Sequence, residues 1–224
     1  MPLDLSEDAL KQWIYVLDDE ERARQGRYQL PSLSRRFAAR RIFLRHVLAS
    51  YLEIAPEQLR LRYEEQGKPF LDHPTDLQFN LAHTQNTAAI AVARGRKVGI
   101  DLETLRHDLD FELIANSFFS MVEVKGLFAG DTDLADNFFR YWTAKESYLK
   151  AIGVGVTVPL NSFEVRTAPE GRTDRLTMKI QSDNRWTCCT WKPCPELCCA
   201  VASERTDWSI RIQSTQSLDG LGLC

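Results

Sequence analysis

The sequence predicts a mixed α and β fold with helix and strand in similar amounts in each half. Three observations predict it: a helical apolar period over residues 33–52, a second helix over 134–152 closed by glycines, and short strand-like runs between and after them. In the first helix Leu33, Phe37, Leu44, Val47, Leu48 and Tyr51 recur at three-, four- and seven-residue steps, with arginines on the other face. Gly67-Lys68-Pro69 reads as a turn. Strands are expected over 77–81, 87–93 and 97–102, and Arg94-Gly95-Arg96 suggests that the last two pair as a hairpin. Ser120 followed by Glu123 is a capping box that opens a short helix. The long helix over 134–152 stops at Gly153-Val154-Gly155. Beyond it, 162–166, 176–180, 185–191 and 197–203 read as strands, with 208–212 a candidate fifth.

Composition sets the broad class. A chain of 224 residues, 44 % hydrophobic and 26 % charged, has the make-up of a globular protein with one large domain or two small ones. No apolar run approaches the ~20 residues that span a bilayer. The segment 1–19 has acids where a secretory signal needs a basic and then an apolar stretch, so a cytoplasmic location is expected. The net charge of −3 argues against a nonspecific nucleic-acid binder. Five of the six cysteines, Cys188, Cys189, Cys194, Cys198 and Cys199, crowd together, with Cys224 apart. Such crowding raises a zinc site. Neighbours such as 188 and 189 point to opposite sheet faces, however, so the reading is of reduced thiols packed as small hydrophobes. Charge is unevenly spread: between Arg22 and Leu52 stand eight arginines and no acid. Either an anionic partner or a solvated basic helix would account for that.

Two segments could carry chemistry. In Val98-Gly99-Ile100-Asp101-Leu102-Glu103 a strand puts Asp101 and Glu103 on one face. Two carboxylates about 7 Å apart at an effective dielectric near 20 repel by roughly 2 kcal/mol, tolerable in water but calling for a cation in a cleft. Their oxygens suit Mg²⁺. A strand end with two solvated acids is the plainer alternative. On the second helix Glu146 and Lys150 stand four apart on one face, beside Phe139 and Trp142. That pair is either an ordinary surface pair of about 0.3 kcal/mol or a carboxylate and an ammonium in a site. His83 ends the strand Phe79-Asn80-Leu81-Ala82-His83, and by itself it indicates little.

Taken together the motifs are specific. Gln66-Gly67-Lys68-Pro69, Phe79-Asn80-Leu81-Ala82-His83, Gly99-Ile100-Asp101-Leu102-Glu103, and Trp142-Thr143-Ala144-Lys145-Glu146-Ser147-Tyr148-Leu149-Lys150 with Gly153 and Gly155 resemble the 4′-phosphopantetheinyl transferase family. Order and spacing are similar to its large, surfactin-synthetase-activating (Sfp-like) type. Arg35-Arg36-Phe37 and Phe118-Phe119-Ser120 also resemble it, and the resemblance runs from about residue 20 to 166.

The resemblance implies an α+β pseudo-dimer of two similar halves, 1–105 and 106–224. Each would be a small antiparallel sheet packed on a long helix, with the active site at their interface. It further implies that Asp101, Glu103 and Glu146 are Mg²⁺ ligands, and that Glu146, Lys150 and Asp101 form the catalytic set. Glu146 would be the general base, directly or through a water. Arg36, His83, Lys68, Arg24, Lys150, Asn80 and Thr84 would contact coenzyme A, with Arg36 and His83 on its 3′-phosphate. The reaction implied is transfer of phosphopantetheine from coenzyme A to a serine of an acyl or peptidyl carrier protein, by a monomer. The other arginines, Arg40 and Arg41 among them, would meet an acidic carrier surface. One departure is visible: the family usually has serine where this chain has Ala82. Two rivals are a metal-dependent nuclease, disfavoured by net charge and by the spacing of Glu146 and Lys150, and a carrier-binding module without activity.

Overall fold

The computed structural model describes residues 1–129, 133–167, 175–179, 186–205 and 207–216. The first half is organised on α3 (Pro31–Leu52), which has proline in its first turn and ends at Glu53 in a left-handed conformation, φ 55°. The expected apolar stripe needs correction. Phe37, Leu44 and Leu48 are buried, but Leu33 and Tyr51 are exposed, and Ala38, Ala39, Ile42, Phe43 and Ala49 fill the core. The helix is packed on two sides, so its apolar positions do not follow one stripe. Leu3, Leu10, Val16 and Leu17, from α1 (Glu7–Trp13) and its flanks, cover Ala38, Ala39, Ile42 and Phe43. Leu59, Leu77 and Phe79 cover Leu44 and Leu48.

The basic segment is corrected too. Arg41 and Arg45 are 5 % and 0 % exposed, so neither lies on a solvated face or meets a partner. Asp18 caps α2 (Asp19–Gly26) in a capping box with Glu21. Glu21 then accepts from Arg41 Nε at 2.5 Å and Arg45 Nε at 2.6 Å. Arg45 also bonds the Asp18 carboxylate and, at 2.9 Å, the Leu59 carbonyl. The acids that neutralise these arginines lie just upstream of the one-sided stretch.

Two short hairpins follow. β1 (Leu61–Tyr63) pairs with β2 (Pro69–Leu71) around Gly67 at φ 82°. β3 (Leu77–His83) pairs antiparallel with β4 (Ala88–Arg94). The expected hairpin of β4 with the next strand does not form. β5 (Val98–Thr104) instead pairs with β9 (Leu197–Glu204), Asp101 opposite Ala200 and Glu103 opposite Cys198. The reason is local: Gly95 takes φ 62° and donates to the Asp76 carbonyl at 3.0 Å. That bond ties the connection to the residue before β3 instead of closing a β4–β5 turn.

In the second half Ser120 and Glu123 form the expected capping box of α5 (Met121–Leu127), which follows α4 (Phe111–Phe118). The long helix α6 (Leu134–Ile152) has the expected bounds, capped by Asp133 and closed by Gly153 at φ 77°. It lies on a five-stranded antiparallel sheet ordered β5, β9, β8 (Trp186–Trp191), β7 (Arg175–Lys179), β6 (Glu164–Thr167). Residues 208–212 form no strand. Both edges of β9 are already taken by β5 and β8, and Trp208 Nε1 instead donates to Thr187 Oγ1 at 2.8 Å. Ile180, Arg185 and Cys224 fall outside the described residues. Cys188 faces α6 beside Ala144, whereas Cys199 faces Ile100 and Ala82 on the opposite side. The architecture is thus α+β, with small antiparallel sheets on long helices. Among the described residues no helix is long and apolar enough to cross a membrane.

Candidate active site

Gly99 fixes the geometry. A Cβ at this position would collide with the Ser147 carbonyl oxygen and the Ala151 nitrogen, and would stand 2.8 Å from Ala151 Cα. Only glycine therefore lets β5 lie flat on α6. Two residues on, Asp101 meets the helix where Lys150 emerges, and Lys150 Nζ contacts Asp101 Oδ1 at 2.5 Å. Asp101 is 3 % exposed, and its Oδ2 is buried with no partner among the described residues. Burial and the Asp101 charge push the Glu103 carboxyl up to about 7, against the pull of Lys150 and of a hydrogen bond from Trp142. Glu146 is raised by the same two causes, burial first, with Lys150 opposing. Both the strand pair and the helix pair of the sequence motifs thus come together, three acids around one lysine.

An orphaned buried carboxylate oxygen beside two acids of raised pKa is a surplus of negative charge that a divalent cation would relieve, so these residues fit Mg²⁺. Among the described residues no three acid, imidazole or thiol groups enclose an ion by themselves.

The predicted coenzyme contacts divide. His83 ends β3 as an exposed residue. Packing behind it and then the Arg40 charge hold its pKa down to about 4. Arg24 and Arg40 both stack on Phe37, their guanidinium carbons 5.6 and 5.5 Å from the ring centroid. The other five, Lys150 on Asp101 among them, are engaged within the protein. Arg36 pairs with both Asp4 carboxylate oxygens at 2.5 and 3.0 Å. Lys68 Nζ donates to the carbonyls of Lys150 and Ala151. Asn80 Oδ1 accepts from Ile100 N at 2.9 Å, and Thr84 Oγ1 lies 2.7 Å from Thr104 Oγ1. These last two contacts stitch β3 to β5 where no backbone ladder does. Ala82 is 2 % exposed and packs in the cluster with Ile100 and Leu102.

Two supports escaped the sequence reading. Trp142, stacked on Phe138 at 5.8 Å and edge-on to Phe118, aims its indole N–H at Glu103. Lys145 and Glu123, both fully buried, pair at 2.7 Å. Lys145 also donates to Phe163 O, and Glu123 accepts from Ser120 N and Val165 N, each at 2.7 Å. This network locks α5 and β6 to the helix that bears Trp142, Glu146 and Lys150. The capping-box glutamate was its only local signal.

Three acids and a lysine thus meet at a strand–helix contact, beside arginines and a histidine. Residues 97–202 match the family model described as the 4′-phosphopantetheinyl transferase superfamily, and residues 4–95 match that of the 4′-phosphopantetheinyl transferase N-terminal region. The 4′-phosphopantetheinyl transferase HetI of Nostoc sp. strain PCC 7120 is 38 % identical over 212 residues, spanning 93 % of this chain and 87 % of that protein. The 4′-phosphopantetheinyl transferase Sfp of Bacillus subtilis strain 168 is 29 % identical over 169 residues, 75 % of this chain and 74 % of its own. A crystal structure of a holo-(acyl-carrier-protein) synthase from Bacillus anthracis, in complex with CoA (3′,5′-ADP), superposes with a TM-score of 0.42 at 20 % identity, over 49 % of this chain and 96 % of that one. The chain belongs to the 4′-phosphopantetheinyl transferase family, of the Sfp-like type.

Proposed function

We propose that this chain moves the 4′-phosphopantetheine arm of coenzyme A onto a serine hydroxyl of an acyl or peptidyl carrier protein and releases 3′,5′-ADP. Asp101 carries the reading: a buried carboxylate with one oxygen on Lys150 and the other unpartnered, between two acids of raised pKa. Asp101, Glu103 and Glu146 would hold Mg²⁺, which would supply Lewis-acid neutralisation of the coenzyme's pyrophosphate.

The serine oxygen bonds to the phosphorus that bears pantetheine. The bond from that phosphorus to the bridging oxygen breaks, and 3′,5′-ADP leaves with the electron pair. Glu146 takes the serine proton, a task that its raised pKa suits. Lys150 swings from Asp101 to the phosphate oxygens. His83 and Arg24 receive the 3′-phosphate, and Arg36 joins them only by leaving Asp4. Asn80 and Thr84 serve the site by holding β3 against β5. The serine-bearing partner docks beside Trp142, where Leu113, Phe118, Met121 and Val122 of α4 and α5 leave apolar side chains exposed. The halves 1–105 and 106–224 act as one cytoplasmic monomer on this reading.

Incubation with coenzyme A, Mg²⁺ and an apo-carrier is the test. Transfer gives a carrier heavier by one phosphopantetheine group and an equal amount of 3′,5′-ADP. Binding of the carrier with neither product would leave only a docking module, and DNA cleavage would point to a nuclease.

A further inference from the structure

The turn of the first hairpin contacts the end of the catalytic helix, and this contact crosses between two motifs that the sequence keeps far apart. The last carbonyls of an α-helix have no partner within the helix and carry its negative end. On α6 these include the carbonyls of Lys150 and Ala151. Lys68 Nζ donates to them at 2.7 and 3.0 Å. Gln66, with its amide turned to satisfy both contacts, donates to the Gly153 and Val154 carbonyls at 3.1 and 2.6 Å. Glu64 packs against Gly153, where a Cβ would stand 3.0 Å from its Oε2. The clasp is itself stiff: Gly67 N donates to Glu64 O at 2.8 Å, and Glu64 N to Lys68 O at 2.9 Å. Burial lowers the Lys68 pKa, with the Glu64 charge opposing.

We propose that Lys68 is a positioning residue for Lys150: it closes the last turn of α6 and so fixes the stem from which Lys150 reaches Asp101 and the substrate phosphates. Two of the three ammonium donors of Lys68 are spent on the helix end, so its contribution to the coenzyme passes through Lys150. This assignment differs from the direct phosphate contact implied by the Gln66-Gly67-Lys68-Pro69 motif, and it rests on the transferase reading above. It also accounts for two glycines. Gly67 gives the turn its positive φ, and Gly153 both ends the helix and leaves room for Glu64.

A double-mutant cycle between Lys68→Met and Lys150→Ala, with Lys68→Arg as the conservative variant, tests this. Transfer is measured with coenzyme A and with 3′-dephospho-coenzyme A, and hydrogen exchange is followed at the end of α6. Lys68→Met is expected to lower kcat about tenfold and to speed exchange in the last turn of α6. The preference for coenzyme A over its dephospho form should stay unchanged. Added to Lys150→Ala, it should lower kcat by less than about twofold. Lys68→Arg should recover most of the rate. Loss of the coenzyme preference in Lys68→Met, or multiplication of the two effects, would overturn the proposal in favour of a direct phosphate contact. If the wild type transfers nothing, the function reading fails by itself. The exchange measurement then stands alone, and unchanged exchange in Lys68→Met would refute the cap.

Discussion

Gly99 of β5 lies against the backbone of α6 so closely that a methyl group on it would overlap the Ser147 carbonyl oxygen. That contact sets the distance between the strand bearing Asp101 and Glu103 and the helix bearing Glu146 and Lys150. Gly99→Ala must push strand from helix, because the atoms in the way are backbone and cannot rotate aside. Overpacking of this kind costs about 1–3 kcal/mol or more. Transfer should fall further than stability does, since the cleft itself opens. Urea unfolding and the intact-mass assay read the two effects, and a near-wild-type variant would contradict the account.

Asp101→Asn keeps the shape of the side chain and removes its charge. Lys150 loses its anchor, and transfer should drop by roughly 100-fold or more. Mg²⁺ should then raise the melting temperature much less than it does in the wild type. An equal Mg²⁺ shift in both proteins would place the ion elsewhere.

The same shift should depend on pH. Glu103 is raised from an ordinary value of 4.5 to about 7, and Glu146 is raised in the same direction. The folded state therefore binds more protons than the unfolded chain above 4.5, and stability from these groups is lost as pH rises through about 7. A cation that neutralises the ionised acids recovers it, so the stabilisation by Mg²⁺ should be larger at pH 8.5 than at pH 5.5. Thermal melts with and without the ion decide this, and equal shifts at both values would count against a carboxylate site.

His46 is 1 % exposed, packed edge-on to Trp13 at 4.8 Å, and neither ring nitrogen has a partner among the described residues. Burial lowers its pKa, with Glu57 opposing weakly. Here the unfolded chain binds the extra proton, so stability is full above about 6.5 and falls as pH drops toward the lowered folded value. His46→Leu should lose less stability between pH 7.5 and pH 5 than the wild type does. Parallel melting curves for the two proteins would rule His46 out as the cause.

Arg41 belongs to the interior. Removing one partner of a buried charge pair costs about 3–5 kcal/mol, so Arg41→Met should unfold at markedly lower urea concentration. Its carrier KM should be unchanged wherever it remains folded. A higher carrier KM at unaltered stability would return Arg41 to the surface role that the local charge run suggested.

Much of this was legible in the sequence where the determinants are local. The bounds of α6 follow from Asp133 and Gly153, its own cap and stop, and the capping box of Ser120 and Glu123 lies within four residues. What was misread depends on distant partners. Arg41 and Arg45 sit in an acid-free window, yet Glu21 reaches them from another helix. The apolar alternation of β4 and β5 is genuine, but alternation does not name a neighbour, and β5 takes the last strand of the sheet. Lys68 and Asn80 were grouped with the coenzyme because they stand inside diagnostic motifs, although both spend their hydrogen bonds on the protein. A motif identifies a site without saying which of its residues touch the ligand.

The pairing of β5 with β9 also bears on how the enzyme is made. The backbone ladder of the strand that carries Asp101 and Glu103 runs, among the described residues, to residues 197–203, about a hundred positions later. On the ribosome its ladder partner is still missing while α6 and the rest of the sheet are synthesised, and such non-local closure is slow. The acidic site is therefore completed only once β9 has emerged. A nascent chain halted before β9 should hold coenzyme A poorly, however well its first helices have folded.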